Sequence, residues 1–262
     1  MQYHIQTTPV WDAFKSNCDC AMCELERKIN ERLVRQYTDE AVMIPEFRQK
    51  VNKYGFCSTH SKMLFNGGNK LGVALQMMTR TEALDKKLPY LDKVKKAKAC
   101  AKDLENEIKS CIICQSLDDS MERYAYTIGQ MYCNEREFPD LFEKCNGFCM
   151  PHYLLLLQNA HKAGRGADAY AMSLSIVQKR ALEKSCNELE KFTGKFDYRS
   201  TNKSSSDGND ALPKAINRLR RNILPPLLVR RDMRKSRAHS YQDAPPRRLR
   251  RPCPNTRYPR LN

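Results

Sequence analysis

Apolar side chains recur every three or four residues along most of the chain. The intervals are four residues from Leu25 to Tyr37, and four and three residues from Leu117 to Met131. This periodicity places the apolar residues on one face of an amphipathic helix. The stretches 70–88, 91–108 and 167–192 also predict helices, and no stretch shows the alternation of a strand. The pattern therefore predicts an all-α protein.

The helical pattern is repeated, together with two short motifs. A Cys-x-x-Cys motif and a later Gly-Phe-Cys-x-x-His motif occur in each half of the chain, and equivalent positions are 91 or 92 residues apart. Such internal self-similarity indicates two copies of one structural unit. The predicted organisation is a first repeat at 1–88, a helical connector at 89–108, a second repeat at 109–195, a docking segment with a short helix at 196–224, and a disordered basic tail at 225–262.

The repeated cysteines and histidines have the composition of metal sites. Two thiolates three residues apart converge on one ion, and a helix that starts at the Gly-Phe-Cys turn presents its Cys and His on one face. Three Cys and one His form a closed tetrahedral set for zinc. We expect one structural zinc ion in each repeat, bound by the four ligands of that repeat, while exchange of the motifs between repeats stays open. The eight candidate ligands are Cys20, Cys23, Cys57, His60, Cys111, Cys114, Cys149 and His152.

Other chemistries fit the pattern less well. Iron–sulfur clusters usually take four cysteines, and a thioredoxin-like dithiol needs a βαβ unit around its Cys-x-x-Cys motif. Cys18, two residues before Cys20, is an alternative ligand that we expect to stay outside the site. No arrangement of Ser, His and Asp and no paired carboxylates indicate catalysis. We therefore predict a non-enzymatic zinc-binding adaptor with an unidentified protein partner, and a thiol-based redox or metal sensor that releases zinc on oxidation is the alternative.

Charge distinguishes the C-terminal part of the chain from the rest. Residues 214–262 contain 15 Lys and Arg against two acidic residues, and residues 1–213 contain 31 basic against 28 acidic residues. Residues 214–262, which include the tail, therefore carry a net charge of +13. Such a tail predicts binding to nucleic acid by counterion release, and a solvated tail without a partner is the alternative. The chain starts with no signal-like segment and its apolar runs are short, which predicts a cytoplasmic protein that does not contact the membrane.

Several segments together resemble one known family. They are Tyr3–Phe14, Cys23–Glu26, both Gly-Phe-Cys-x-x-His motifs, Phe192–Arg199 and Asp210–Ile216. In this order they resemble the bacterial family called domain of unknown function 6062, over about residues 1–220. The resemblance implies a bacterial cytosolic protein and brings no activity with it. The segment after about Arg221 does not resemble the family.

Overall fold

A computed structural model describes residues 4–196 and 210–220 of the chain. These residues form helices and contain no strand, so the all-α prediction is confirmed. Two short 3₁₀ helices, Glu40–Met43 and Ala160–Gly166, interrupt the α-helices. The α-helices are α1 His4–Lys15, α2 Ala21–Thr38, α3 Pro45–Tyr54, α4 Ser58–Asn66, α5 Lys70–Asp85, α6 Val94–Lys109, α7 Ile112–Asn134, α8 Phe138–Lys144, α9 Met150–Asn159, α10 Ala167–Gly194 and α11 Ala211–Arg220.

Helix α2 buries the apolar face that the sequence predicts. The residues of the stripe from Leu25 to Tyr37 are buried. On the outer face, Arg27 forms ion pairs of 2.7 Å with Glu24 and with Glu31. Exposed pairs at this spacing add only a few tenths of a kcal/mol. Burial of the apolar stripe is therefore what determines the position of α2.

The predicted long helices agree with the structure to within a few residues. The stretch 70–88 contains α5, 91–108 largely coincides with α6, and 167–192 coincides with most of α10. Asn69 is the N-cap residue of helix α5. Its side chain accepts a hydrogen bond of 2.8 Å from the backbone N–H of Gly72. This is the capping arrangement for which Asn is preferred at a helix start.

The order of the helices reproduces the sequence repeat. In the first half of the chain, α1 precedes the Cys-x-x-Cys motif and α2 to α5 follow it. In the second half, α6 precedes the motif and α7 to α10 follow it in the same order. In each half the third of these five helices is short and has a proline at its start. The backbone repeats as well. Cys20 and Cys111 have φ/ψ angles of −154/109° and −155/121°, and Cys57 and Cys149 have −72/169° and −70/154°.

An aromatic cluster joins the N-terminal helix to the second repeat. The ring of Phe14 in α1 lies 5.1 Å from Phe138 and 5.8 Å from Phe142, measured between ring centroids. It also lies 6.2 Å from Phe148, the aromatic residue of the second Gly-Phe-Cys motif. All four of these side chains are buried. The described parts of the two repeats therefore share one apolar core.

The contacts divide the chain into residues 1–224 and residues 225–262. The predicted disordered tail at 225–262 lies outside the described residues. Within the first unit, α11 packs against α9 and α10. In the part of the chain that the structure describes, no helix combines the length and apolarity required to cross a bilayer.

Candidate metal centres

All eight candidate ligands lie in the first turns of four helices. The N-cap residues of α2, α4, α7 and α9 are Cys20, Cys57, Cys111 and Cys149. The second ligand of each pair follows three residues later, in the first helical turn. Helix N-termini carry partial positive charge and unpaired N–H groups, which stabilise thiolates. The motif spacing thus places each pair of ligands where the backbone itself favours the anionic sulfur.

The structure groups the eight ligands across the repeats. Among the described residues, one group consists of Cys20, Cys23, Cys149 and His152, which we call the first centre. The other consists of Cys57, His60, Cys111 and Cys114, the second centre. In each centre the ligand atoms all lie within 4.8 Å of one another. The expectation that each repeat supplies all four ligands of its own site is therefore wrong, and the motifs are exchanged.

The first centre has the dimensions of a tetrahedral zinc site. Bonds of about 2.3 Å to sulfur and about 2.0 Å to nitrogen put two sulfurs about 3.8 Å apart, and a sulfur and a nitrogen about 3.5 Å apart. The Sγ atoms of Cys23 and Cys149 are 3.6 Å apart. Nδ1 of His152 lies 3.2 Å from Cys149, 3.3 Å from Cys23 and 3.7 Å from Cys20. The four atoms therefore approximate the corners of one coordination sphere.

The second centre has the same geometry. The Sγ atoms of Cys57 and Cys114 are 3.7 Å apart. Nδ1 of His60 lies 3.3 Å from the sulfurs of Cys57, Cys111 and Cys114. Both imidazoles thus turn the same nitrogen toward the sulfurs.

The outer nitrogen of each imidazole faces a residue of α2. Nε2 of His60 donates a hydrogen bond of 3.0 Å to Oδ1 of Asn30, which leaves the Nδ1 lone pair directed at the sulfurs. Nε2 of His152 lies 3.4 Å from a carboxylate oxygen of Glu26. Partners of this kind fix the tautomer and orientation of a metal-binding histidine. A single helix, α2, therefore supports both centres, with its two side chains one turn apart.

Hydrogen bonds between the motifs reinforce the exchange. In the second centre, the N–H of Ile112 donates to the carbonyl of Gly55 at 3.1 Å, and the hydroxyl of Ser110 donates to the carbonyl of Tyr54 at 2.6 Å. In the first centre, the side-chain amide of Asn146 donates to the carbonyl of Cys18 at 3.3 Å. Each Gly-Phe-Cys turn is thus bound to the Cys-x-x-Cys turn of the other repeat.

Glycine is required in both Gly-Phe-Cys turns. Gly55 has φ of +62° and Gly147 has φ of +85°, in the region that residues with a side chain rarely adopt. A β-carbon at Gly147 would also overlap the side chain of Ala181. At Gly147, both the backbone angle and the lack of space therefore exclude a side chain.

Side chains of α10 and α11 hold the Gly147 turn in place. Gln178 donates to the carbonyl of Phe148 and accepts from its N–H, both at 3.0 Å. Arg218 of α11 donates to the carbonyl of Asn146, also at 3.0 Å. These contacts satisfy backbone groups that lie outside regular helix. They fix the turn from which Cys149 enters the first centre.

The thiols and the imidazole of the first centre perturb one another. Burial raises the pKa of Cys20, and hydrogen bonding to Cys149 raises the pKa of Cys23. The same contacts with Cys20 and Cys23 lower the pKa of Cys149. Burial acts to lower the pKa of His152, but its contacts with the sulfurs and with Glu26 raise the pKa to about 11. Protons therefore compete with a metal ion for these ligand atoms, and metal binding releases protons.

The sequence motifs predict the eight candidate ligands but give no sign of the residues that contact the imidazoles from α2. Glu26 and Asn30 come after the first Cys-x-x-Cys motif and are four residues apart. They lie beside the buried stripe of α2. Their counterparts in α7 are the buried Leu117 and Met121, so the repeat itself gave no signal for them. Cys18 lies outside both centres, as expected, and its thiol is 3.8 Å from the carbonyl of Ala13.

Fold and site together define the class of protein: an all-α chain with an internal repeat and two Cys₃His groups that could hold metal ions. A family model for a family of unknown function, DUF6062, matches residues 1–225, and the chain belongs to this family. The resemblance noted in the sequence is thereby confirmed. Neither the curated proteins nor the solved structures gave a match.

Proposed function

We propose that the protein binds two zinc ions, one in each centre, and that the ions hold together a helical adaptor that is not an enzyme. The observation that carries this proposal is the composition of each centre, with two ligands from each repeat. An ion bound there connects α2 to α9, or α7 to α4. Two such connections cross between the repeats and resist their separation.

The donor set supports zinc over other ions. Thiolate and imidazole ligands bind zinc in preference to magnesium or calcium, which take oxygen ligands. Ligand atoms within 4.8 Å of one another suit a single ion. Structural zinc in small peptides contributes about 10–16 kcal/mol of apparent binding energy, which becomes folding energy where the site forms only in the folded chain. Zinc would therefore be a major source of stability here.

The closed ligand set supports a structural role. Four protein ligands complete the tetrahedral shell, so no position remains for the water or substrate that a catalytic zinc site keeps. We propose a cytoplasmic location, because these thiols must stay reduced to bind metal. We expect the partner to be another protein.

Paired substitutions test both the metal and the exchange. Cys20→Ser with Cys149→Ser alters one centre only and should leave one zinc ion per chain, measured by elemental analysis after purification under reducing conditions. Cys20→Ser with Cys57→Ser alters two ligands of one repeat and should leave none after competition with a chelator. Cys18→Ser is the control and should retain two. Fewer than two zinc ions in the unmodified chain, or the reverse pattern in the two double variants, would contradict the proposal.

Nucleic-acid binding by the basic tail is a second, separate proposal. Its support is the net charge of +13 on residues 214–262. Most of these residues lie outside the described part of the chain. Neutralisation of phosphates by such a segment gives affinity that falls steeply with salt.

A further inference from the structure

The two centres differ in how well their sulfurs are shielded from water. In the first centre, all four ligand residues are buried, with exposed fractions between 2% and 6%. In the second centre, His60 and Cys111 are buried, but Cys57 and Cys114 are partly exposed. A soluble oxidant can therefore approach Cys57 and Cys114 of the second centre more readily than the buried cysteines of the first.

The turns that carry the ligands show the same difference. Phe148, next to Cys149 of the first centre, is completely buried in the aromatic cluster. Phe56, next to Cys57 of the second centre, is only partly buried. Reaction with a soluble reagent requires access, so the packing protects the first centre.

The supporting residues also differ between the centres. The imidazole of the first centre faces the carboxylate of Glu26, and that of the second faces the neutral amide of Asn30. A carboxylate partner makes the histidine a stronger ligand, and loss of such a partner typically lowers metal affinity 10–100-fold. Exposure therefore makes the second centre the more accessible of the two, and its imidazole has a neutral rather than a charged partner.

We infer that the second centre is a site of oxidative modification, with Cys57 and Cys114 as the reacting pair, while the first centre keeps its ion. This inference rests on the proposed zinc binding. It assigns the thiol-sensor behaviour to one centre and to the two accessible sulfurs, which lie 3.7 Å apart.

The oxidant is hydrogen peroxide. One of the two thiolates attacks a peroxide oxygen, so that an S–O bond forms, the O–O bond breaks and hydroxide leaves. The thiolate of the other cysteine then displaces a second hydroxide from this sulfur and forms the disulfide between Cys57 and Cys114. The two sulfurs lose two electrons and the peroxide gains them. Zinc does not change its oxidation state and leaves, because only Cys111 and His60 remain as its ligands.

Stoichiometric hydrogen peroxide tests the inference on the full chain in zinc-loaded form. A colorimetric zinc indicator should record rapid release of one zinc ion per chain, with release of the second at least tenfold slower. Peptide mapping by mass spectrometry should find the Cys57–Cys114 disulfide. Release of both ions at one rate, or a disulfide that contains Cys20, Cys23 or Cys149, would overturn the inference. A bond between Cys111 and Cys114 would overturn the assignment of Cys57.

Two isosteric variants provide matched controls. Asn30→Asp gives the second centre a carboxylate partner and should slow its zinc release about tenfold. Glu26→Gln removes the carboxylate from the first centre and should speed its release by a similar factor. Unchanged rates in both variants would refute the role of the supporting residues.

Alkylation separates failure of this inference from failure of zinc binding. With limiting N-ethylmaleimide, the order of modification is read cysteine by cysteine and needs no zinc count. Cys57 and Cys114 should react before Cys20, Cys23 and Cys149. Equal reaction of both centres overturns the inference, whereas a chain that starts with fewer than two zinc ions overturns the proposed function.

Discussion

Replacement of Gly147 by alanine is expected to destabilise the protein more than replacement of any glycine in open space. Gly147 has φ of +85°, which a residue with a β-carbon adopts at a cost of about 1–2 kcal/mol. The new methyl group would also overlap Ala181, and overpacking of this kind costs about 1–3 kcal/mol. The two effects together predict a loss of about 2–5 kcal/mol.

Gly164 is the matched control, because it has nearly the same backbone angle. Its φ is +82°, and a β-carbon there would meet nothing within 4 Å. With ψ of −138°, Gly164 lies in a region that is essentially restricted to glycine, so Gly164→Ala should cost only backbone strain of about 1–3 kcal/mol. The additional loss in Gly147→Ala reports the steric overlap at Ala181.

Urea denaturation at a fixed free-zinc concentration is the suitable assay, because bound zinc adds to the free energy of unfolding. The melting temperature should fall in parallel, by about 2–4 °C for each kcal/mol lost from the free energy of unfolding. Gly147→Ala should also weaken zinc at the first centre, since the turn positions Cys149 and His152, and should leave the second centre loaded. Equal destabilisation by the two substitutions, or a Gly147 variant that melts like the parent protein, would refute the reasoning.

Three further predictions concern the first centre, the metal and the tail. Gln178→Ala leaves two buried backbone groups of Phe148 without partners and should cost about 1–3 kcal/mol for each in urea denaturation. Gln130→Ala, which removes a solvent-exposed hydrogen bond to a backbone carbonyl, should cost much less. Cys57→Ser and Cys149→Ser should each lower helicity and melting temperature in circular dichroism, and unaltered melting of both would exclude a structural metal. Deletion of residues 225–262 should abolish nucleic-acid affinity and its dependence on salt, and unchanged affinity would remove the tail from this role.

Periodicity predicted α2 and α7 because each has an apolar face that the core buries, whereas α6, also predicted, has no buried residue. The stretch 70–88 compares with Lys70–Asp85 in the structure, and 167–192 compares with Ala167–Gly194. The ends differ by a few residues, since helix termini fray and are defined only to within one or two residues.

The supporting residues could not be predicted in the same way. Glu26 and Asn30 are ordinary polar residues of a helix, and only the approach of His152 and His60 from other helices gives them a role. The difference in shielding between the centres likewise depends on how closely each turn is packed, as the contrast between Phe148 and Phe56 shows.

The sequence by itself determined the ligand types, their spacing and the helices that present them, because these depend on neighbours within a few residues. Only the tertiary structure decided which Cys-x-x-Cys motif meets which Cys-x-x-His motif. Either assignment satisfies the same local spacing, since each pair of ligands is complete in its own helix turn. The choice depends on contacts between distant segments, such as Phe14 with the second repeat and Ile112 with Gly55, and these bring the motifs together across the repeats.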